Sequence, residues 1–377
     1  MTHAINASAA ETSQSHFETD FQALSPAQIL SHSRSDISSL SPTDQFIFAQ
    51  MLLSGASDHD DQVGFEILES LPKEQFCTNY EIGIFSLQKG RYGQAIRAIR
   101  ELLKDEPCKT GPYCCDAAKL KDAQGLLYFA EERGKNEPEI NHEITAQLLP
   151  DELVAGRLVS RFGSKKNTFL VEWDFSQDFH LWNTRCQRQL GMKVFTDGKF
   201  HGLAFAKFPT KGSAAKKKYA PFSGASFSGF ATDFGPDSKI CGKLSPQNMG
   251  HDHAFRVDTA NSRIVLSPIS SSVKSANVCP IYILHNAMFG KVSISGMDDR
   301  LFKLSAQNKP SFNASAFPDG LAKDAHMKWC GAEWTGQSVT PASFPKQDHW
   351  TNNGSIGWDA LPSKNVTLDF KNNTVNF

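Results

Sequence analysis

The chain has 377 residues, enough for two or three compact domains, with a net charge of −1 and a near-neutral pI. That balance excludes a bulk nucleic-acid binder, and the one basic run, Lys216-Lys217-Lys218, reads as a solvated loop. No apolar run approaches the ~20 residues that span a bilayer. Residues 1–20 carry neither a basic nor an apolar signal segment, so the chain is expected to be cytoplasmic, with its eight cysteines mostly reduced.

Residues 1–24 are rich in Ser, Ala, Thr and Glu and read as a flexible tail. Helical signals begin at Ser25-Pro26 and recur at Ser41-Pro42-Thr43-Asp44, where a Ser cap precedes a first-turn Pro. The second of these runs into an apolar face of Phe46, Phe48, Ala49, Leu52 and Leu53, and Val63 to Leu68 follows at helical spacing. Asn79 to Pro107 is the sharpest pattern: small Gly83 and Gly90, then Tyr92 and Ala95, closing on Pro107. This segment resembles a tetratricopeptide repeat. The resemblance implies helical hairpins over 25–134, stacked about three deep because one repeat cannot bury its own apolar face. It also implies a contact role, with Tyr80, Arg91 and Tyr92 as partner-binding residues. Cys108, Cys114 and Cys115 lack the paired spacing of a zinc set and read as packing residues.

Residues 135–151 read as a linker. Beyond them the composition shifts to Phe, Ser, Gly and Asn with short alternating strands, the mark of a β region. Its opening stretch has an alternating run (Leu158, Ser160, Phe162), a turn at 163–167, an apolar strand (Phe169-Leu170-Val171) and a short helical pattern from Arg185 ending at Gly191. The region also repeats itself. Phe255-Arg256-Val257-Asp258 followed by a polar turn and Ile264 matches Val366-Thr367-Leu368-Asp369 followed by a polar turn and Val375. Gly250-His251-Asp252 precedes the first copy and Gly357-Trp358-Asp359 the second; Gly156 to Val171 has a counterpart in Gly290 to Leu304. These features resemble retropepsin-like lobes of an aspartic peptidase, two in one chain as in a pepsin-type arrangement. The expected fold is therefore multidomain α + β: a helical repeat domain, then a mainly-β region with lobes at 152–270 and 271–377. Two lobes in one chain remove the need to dimerise to form a cleft.

In that family the apolar strand runs into Asp-Thr/Ser-Gly, and two carboxylates share one proton. Here the first strand runs into Glu172-Trp173-Asp174, with bulky residues where small ones belong, and the second lobe offers Ser305 and Gln307 with no acid. Asp298 and Asp299 fall too early, and Val257-Asp258-Thr259-Ala260 is explained by the repeat as a closing hairpin. The expectation is a non-catalytic peptide- or protein-binding scaffold, with a divergent aspartic endopeptidase using Asp174 as the alternative. A third reading gives chemistry to Asp178 with His180, which share a face on a strand, or to His251 and His253, which otherwise form a solvated turn. No cofactor, metal or nucleic acid is implied. The six Trp residues read as core, and the Asn-x-Ser/Thr triplets at Asn313, Asn353 and Asn365 as incidental.

Overall fold

The computed structural model describes residues 37, 40–55, 57–108, 113–136, 142–149, 157–163, 168–175, 179–194, 203–207, 226–249, 253–268, 278–284, 287–294, 300–305, 311–313, 325–329, 332–337, 340–342, 354–357 and 365–376. The expected tail, Lys216–Lys218, Gly156, Asp178, Gly250, His251, Asp252, Asp298, Asp299, Gln307, Asn353 and Asp359 lie outside them. What is described is mixed and largely β, with five helices ahead of two sheets.

The helices are α1 (Pro42–Ser54), α2 (Asp58–Ser70), α3 (Thr78–Gln88), α4 (Tyr92–Leu102) and α5 (Ala117–Asn136). Helix α1 starts where the sequence says it should: Ser41 Oγ accepts the Asp44 N–H at 3.1 Å and Pro42 needs no hydrogen bond of its own. Ser57 caps α2 in the same way. Helices α3 and α4 turn at Gly90, whose φ of 67° suits glycine. They approach closely because Gly83 has no side chain; a Cβ there would sit 2.6 Å from Ile99 Cγ1. The helical hairpins are thus as expected, and what they establish is helix-turn-helix geometry, without membership of the tetratricopeptide family.

The first half of the β region holds β1 (Ile144–Gln147), β2 (Val159–Gly163), β3 (Thr168–Trp173), β4 (Leu181–Asn183), β5 (Lys193–Val194), β6 (Leu203–Lys207), β7 (Ser226–Thr232), β8 (Ile240–Leu244), β9 (His253–Asp258) and β10 (Arg263–Pro268). The second holds β11 (Val278–Leu284), β12 (Ala287–Ile294), β13 (Arg300–Ser305), β14 (Ser311–Asn313), β15 (Ala325–Trp329), β16 (Ala332–Gln337), β17 (Thr340–Ala342), β18 (Gly354–Gly357), β19 (Asn365–Asp369) and β20 (Thr374–Asn376). Strand β1 falls inside the stretch read as a linker; it is recruited by pairing with β10, a partner more than a hundred residues away. After β4 comes a 3-10 turn, Thr184–Cys186, and further turns that end at Gly191 with φ 54°, rather than a full helix.

One sheet begins β1-β10-β9-β19-β20-β11, and the order of these six strands is an approximate two-fold. The closing strands pair antiparallel with Phe255 opposite Leu368, Arg256 opposite Thr367 and Val257 opposite Val366. In the sequence repeat Arg256 corresponds to Thr367, so the axis passes between two equivalent residues, as an isologous contact requires. The turns are duplicated as well. Asp258 Oδ1 accepts the Asn261 N–H at 3.0 Å, and Asp369 Oδ1 accepts the Asn372 N–H at 3.0 Å. The next residues, Ser262 and Asn373, both take positive φ, 50° and 45°. Their carbonyls accept the N–H groups of Leu148 and Ile281, at 2.7 and 2.8 Å. The second half's strand β12 faces β13 with Gly290 opposite Phe302, whereas Phe169 of β3 faces Phe162. Aligned on those phenylalanines, Gly290 therefore corresponds to Phe162 and not to Gly156.

The helical layer shares its core with the β region. Phe46, Leu52, Phe65 and Phe76 belong to one apolar cluster with Tyr282, Leu284, Phe289 and Leu301 of β11, β12 and β13. Asn373 Nδ2 donates to the Gly55 carbonyl at 3.0 Å, and Lys89 Nζ donates to the same oxygen at 2.9 Å. At the other end Phe179 stacks edge-on to both Phe129 of α5 and Phe230 of β7. The cysteines differ from the reduced state expected of them. Cys77–Cys115, Cys108–Cys114 and Cys186–Cys241 are disulfides, and Cys279 is disulfide-bonded too. Spacing alone hid this, because Cys115 meets Cys77 only when the chain after α4 folds back, with the Cys77 N–H on the Tyr113 carbonyl at 2.8 Å.

Substituting Gly83→Ala drives a methyl into Ile99, and overpacking of this kind costs about 1–3 kcal/mol. Urea unfolding of the full chain should show that loss, and Gly93→Ala, whose Cβ would meet only the Arg97 tip at 4.0 Å, should lie near wild type.

Candidate functional site

Strand β3 decides the geometry of the expected catalytic position. Alternation sends Trp173 to one face and Glu172 and Asp174 to the other. Trp173 is fully buried against Phe255 and Phe162, at ring distances of 5.4 and 6.2 Å, and its Nε1–H donates to Ser160 Oγ at 2.9 Å. Phe175 packs edge-on to Phe255 at 5.2 Å. Trp173 and Phe175, which stand where the expected motif has small turn residues, are therefore anchors in the core.

On the opposite face both carboxylates are buried and converge on Lys243 of β8, the residue in parallel register with Glu172. Lys243 Nζ lies 3.0 Å from Asp174 Oδ2 and 3.5 Å from Glu172 Oε2, with Arg157 Nη1 3.8 Å from Glu172 at the outer edge. The Asp174 N–H donates to the Leu244 carbonyl at 2.8 Å, so backbone as well as side chain ties β3 to β8. Burial pushes the Glu172 carboxyl above its ordinary range, and the Asp174 charge adds to this while Lys243 and Arg157 oppose it. For Lys243, burial alone would lower the pKa; attraction to Asp174 and Glu172 outweighs it and holds the ammonium above its usual value. Two acids thus face one retained cation in a buried ion cluster.

The second lobe gives this position no acid. Strand β13 ends at Ser305, opposite Gly357 of β18 in parallel register. Asp258 sits in the closing hairpin as the repeat implies, where burial would raise its pKa but hydrogen bonds from Asn261 and Arg263 prevail and hold it low. His180 is buried; its Nδ1 accepts the Ser245 N–H at 3.0 Å, which ties the strand after Asp174 to the segment after β8. Nearby, Asn248 Nδ2 donates to Ser245 Oγ at 2.9 Å and Gln247 Nε2 to the Phe175 carbonyl at 3.3 Å. This network reads as the support of the loop. His253 packs on the Phe370 ring at 5.4 Å, inside the sheet rather than on a solvated turn. No metal-binding group of His, Cys, Asp and Glu occurs among the described residues.

Of the residues assigned to partner binding, Arg91 spans Asp61, at 3.0 Å, and the Phe65 ring, while Tyr80 and Tyr92 are half-buried against the cluster that contains Ile99 and Phe129. The site residue that sequence reading missed is Lys243. The i, i+2 spacing of Glu172 and Asp174 signalled two acids on one face, and two buried acids require a cation, but nothing local said which.

No protein-family model matches the chain, and no curated protein does. Among solved structures the chain is similar to basic 7S globulin from soybean, at 10% identity and a TM-score of 0.39, over 63% of this chain and 96% of that one. It is likewise similar to conglutin gamma from lupine seeds, a basic 7S globulin, at 10% identity and 0.39, over 62% and 94%. For edgp the values are 8% and 0.37, over 63% and 95%. At such identities no residue's role transfers.

Replacing Lys243 by Met leaves two buried acids without their cation, a change of the order of 3–5 kcal/mol at neutral pH. Both acids then resist ionisation in the folded chain, so the defect is absent below the unfolded carboxylate pKa and grows as pH rises through the folded values. Urea unfolding at pH 4 and pH 7 should show a much larger deficit at pH 7. In the wild type the Lys243 contribution is present once the two acids are ionised, persists up to the unfolded lysine pKa, about 10.4, and is lost as pH rises through the raised folded value.

Proposed function

We propose that this chain is a non-catalytic peptide- or protein-binding module, a two-lobed, aspartic-peptidase-like β region without its acid pair, joined to a helical layer. One observation carries the proposal: Asp174 and Glu172 are both committed to Lys243, while β13 ends on Ser305. The shared-proton mechanism needs two carboxylates about 3 Å apart across the two-fold, one of them protonated. An ammonium beside one acid and a serine in the other lobe supply neither condition. An extended peptide, held by backbone pairing to strand edges, is the ligand class that suits a two-lobed β region lacking chemistry. For the helices, an internal role is favoured over the outside partner implied by the tetratricopeptide resemblance, because the apolar side of α1 and α2 packs against β11, β12 and β13.

The test is a mixed peptide library incubated with the full chain from pH 3 to 8, beside the D174N variant. The proposal expects cleavage indistinguishable between the two and peptides recovered whole from the bound fraction. Cleavage by the wild type that D174N abolishes would establish the divergent endopeptidase instead.

A cytoplasmic setting, expected from the sequence, sits uneasily with paired cysteines, which are rare in a reducing cytosol. We favour a disulfide-permissive compartment. Alkylation of the native protein under denaturing conditions, followed by mass measurement, should find no modified Cys77, Cys115, Cys186 or Cys241; quantitative alkylation at all four would return the chain to the cytosol.

A further inference from the structure

Two of the disulfides lie side by side within the helical layer. Cys77, the residue before α3, is bonded to Cys115, which stands just ahead of α5, so one bond staples the starts of two helices. Cys114, its neighbour in sequence, is bonded to Cys108, and the Cys108 N–H donates to the Cys115 carbonyl at 2.9 Å. Cys77, Cys114 and Cys115 are all buried. Between the two bonds the chain delivers Tyr113 inward. Its ring lies 5.3 Å from Phe46 and 5.8 Å from Phe76, whose own rings are 5.2 Å apart. That aromatic trio belongs to the cluster through which α1 and α2 pack on Tyr282, Leu284, Phe289 and Leu301. Tyr113 stands immediately before Cys114 and Cys115 and just ahead of α5, so its ring is placed beside two covalent bonds.

We infer that the Cys77–Cys115 and Cys108–Cys114 pair is a redox lock on the docking of the helical layer. Oxidised, the pair holds Tyr113 in the aromatic trio and the layer stays on β11, β12 and β13. A dithiol reductant breaks each S–S bond by thiol exchange: two protein thiols form, the reductant closes to its own disulfide, and two electrons and two protons pass per bond. With both bonds open, the remaining ring contacts and the Cys77 N–H on the Tyr113 carbonyl no longer hold Tyr113 in place, it withdraws, and the strand face beneath the helices is uncovered. Cys186–Cys241 lies within the first lobe, joining the turn after β4 to β8, and has no part in this contact.

Hydrogen exchange on the full-length protein, with and without dithiothreitol, tests the lock, with thiol alkylation recording which bonds have opened. Reduction of the two helical-layer bonds should raise exchange at the amides of Tyr282, Phe289 and Leu301 by ~10-fold or more, the signature of sub-global opening, while β8 and β9 stay protected. The C77S/C115S variant should behave like the reduced wild type and C186S/C241S should not; if C77S/C115S does not fold, the wild type decides at a reductant level where alkylation finds both helical-layer bonds open and the bond to Cys279 of β11 still closed. Unchanged protection at β11 to β13 with both bonds open would overturn the inference. So would simultaneous loss of protection in β8 and β9, since that is general unfolding and not release of one layer.

Discussion

The structure depends first on a short antiparallel contact, β9 against β19, where Arg256 faces Thr367 across an approximate two-fold. Because the paired residues are equivalent in the sequence repeat, each half offers the other the same edge, and the contact closes on itself without leaving an unpaired partner. The flanking strands follow. Each closing hairpin binds an earlier strand through the carbonyl of its positive-φ residue, Ser262 to Leu148 and Asn373 to Ile281. Six strands are thereby fixed in order.

A two-fold of this kind presents the same position twice, which is what a mechanism built on a pair of equivalent acids exploits. In this chain the two copies agree in the backbone geometry of the closing hairpins and differ at the strand ends. The hairpin residues Asp258 and Asp369 make equivalent hydrogen bonds in both halves. At the strand ends, by contrast, one lobe has two buried acids held by Lys243 and the other has Ser305. Trp173 and Phe175 deepen the asymmetry by sealing the first lobe's turn into the core with Phe255. A buried ion cluster adds little net stability compared with apolar packing, but it penalises any arrangement that parts its members. Its role in the fold is to hold β3 and β8 in register.

What was legible in the sequence was local. Ser41-Pro42 starts a helix wherever it occurs before an apolar face, and Asp-x-x-Asn closes a hairpin because the Asp side chain can accept the N–H three residues on. The repeat of that turn, with a strand on each side, was enough to foresee the duplicated closing hairpins. Partners set by the fold were not legible. Lys243 lies some seventy positions from Asp174, β1 becomes a strand only beside β10, and Cys77 finds Cys115 through a fold-back with no sequence signature. The helical stretch reads only as a contact region for the same reason. Their apolar stripes announce burial, yet they do not say that the covering surface is β11, β12 and β13 of the same chain.

The central claim, that the two lobes do not supply a shared-proton acid pair, is tested most directly by calorimetry with a peptide analogue of the peptidase transition state. Such an analogue carries a hydroxyl in place of the tetrahedral centre and gains its tight binding from hydrogen bonds to both carboxylates. Titrated into the full chain between pH 3 and 7, it should bind no more tightly than the parent peptide with an ordinary amide. Binding tighter by a hundredfold or more at acid pH, on the scale that transition-state analogues reach, would contradict the account and require a second acid opposite Asp174.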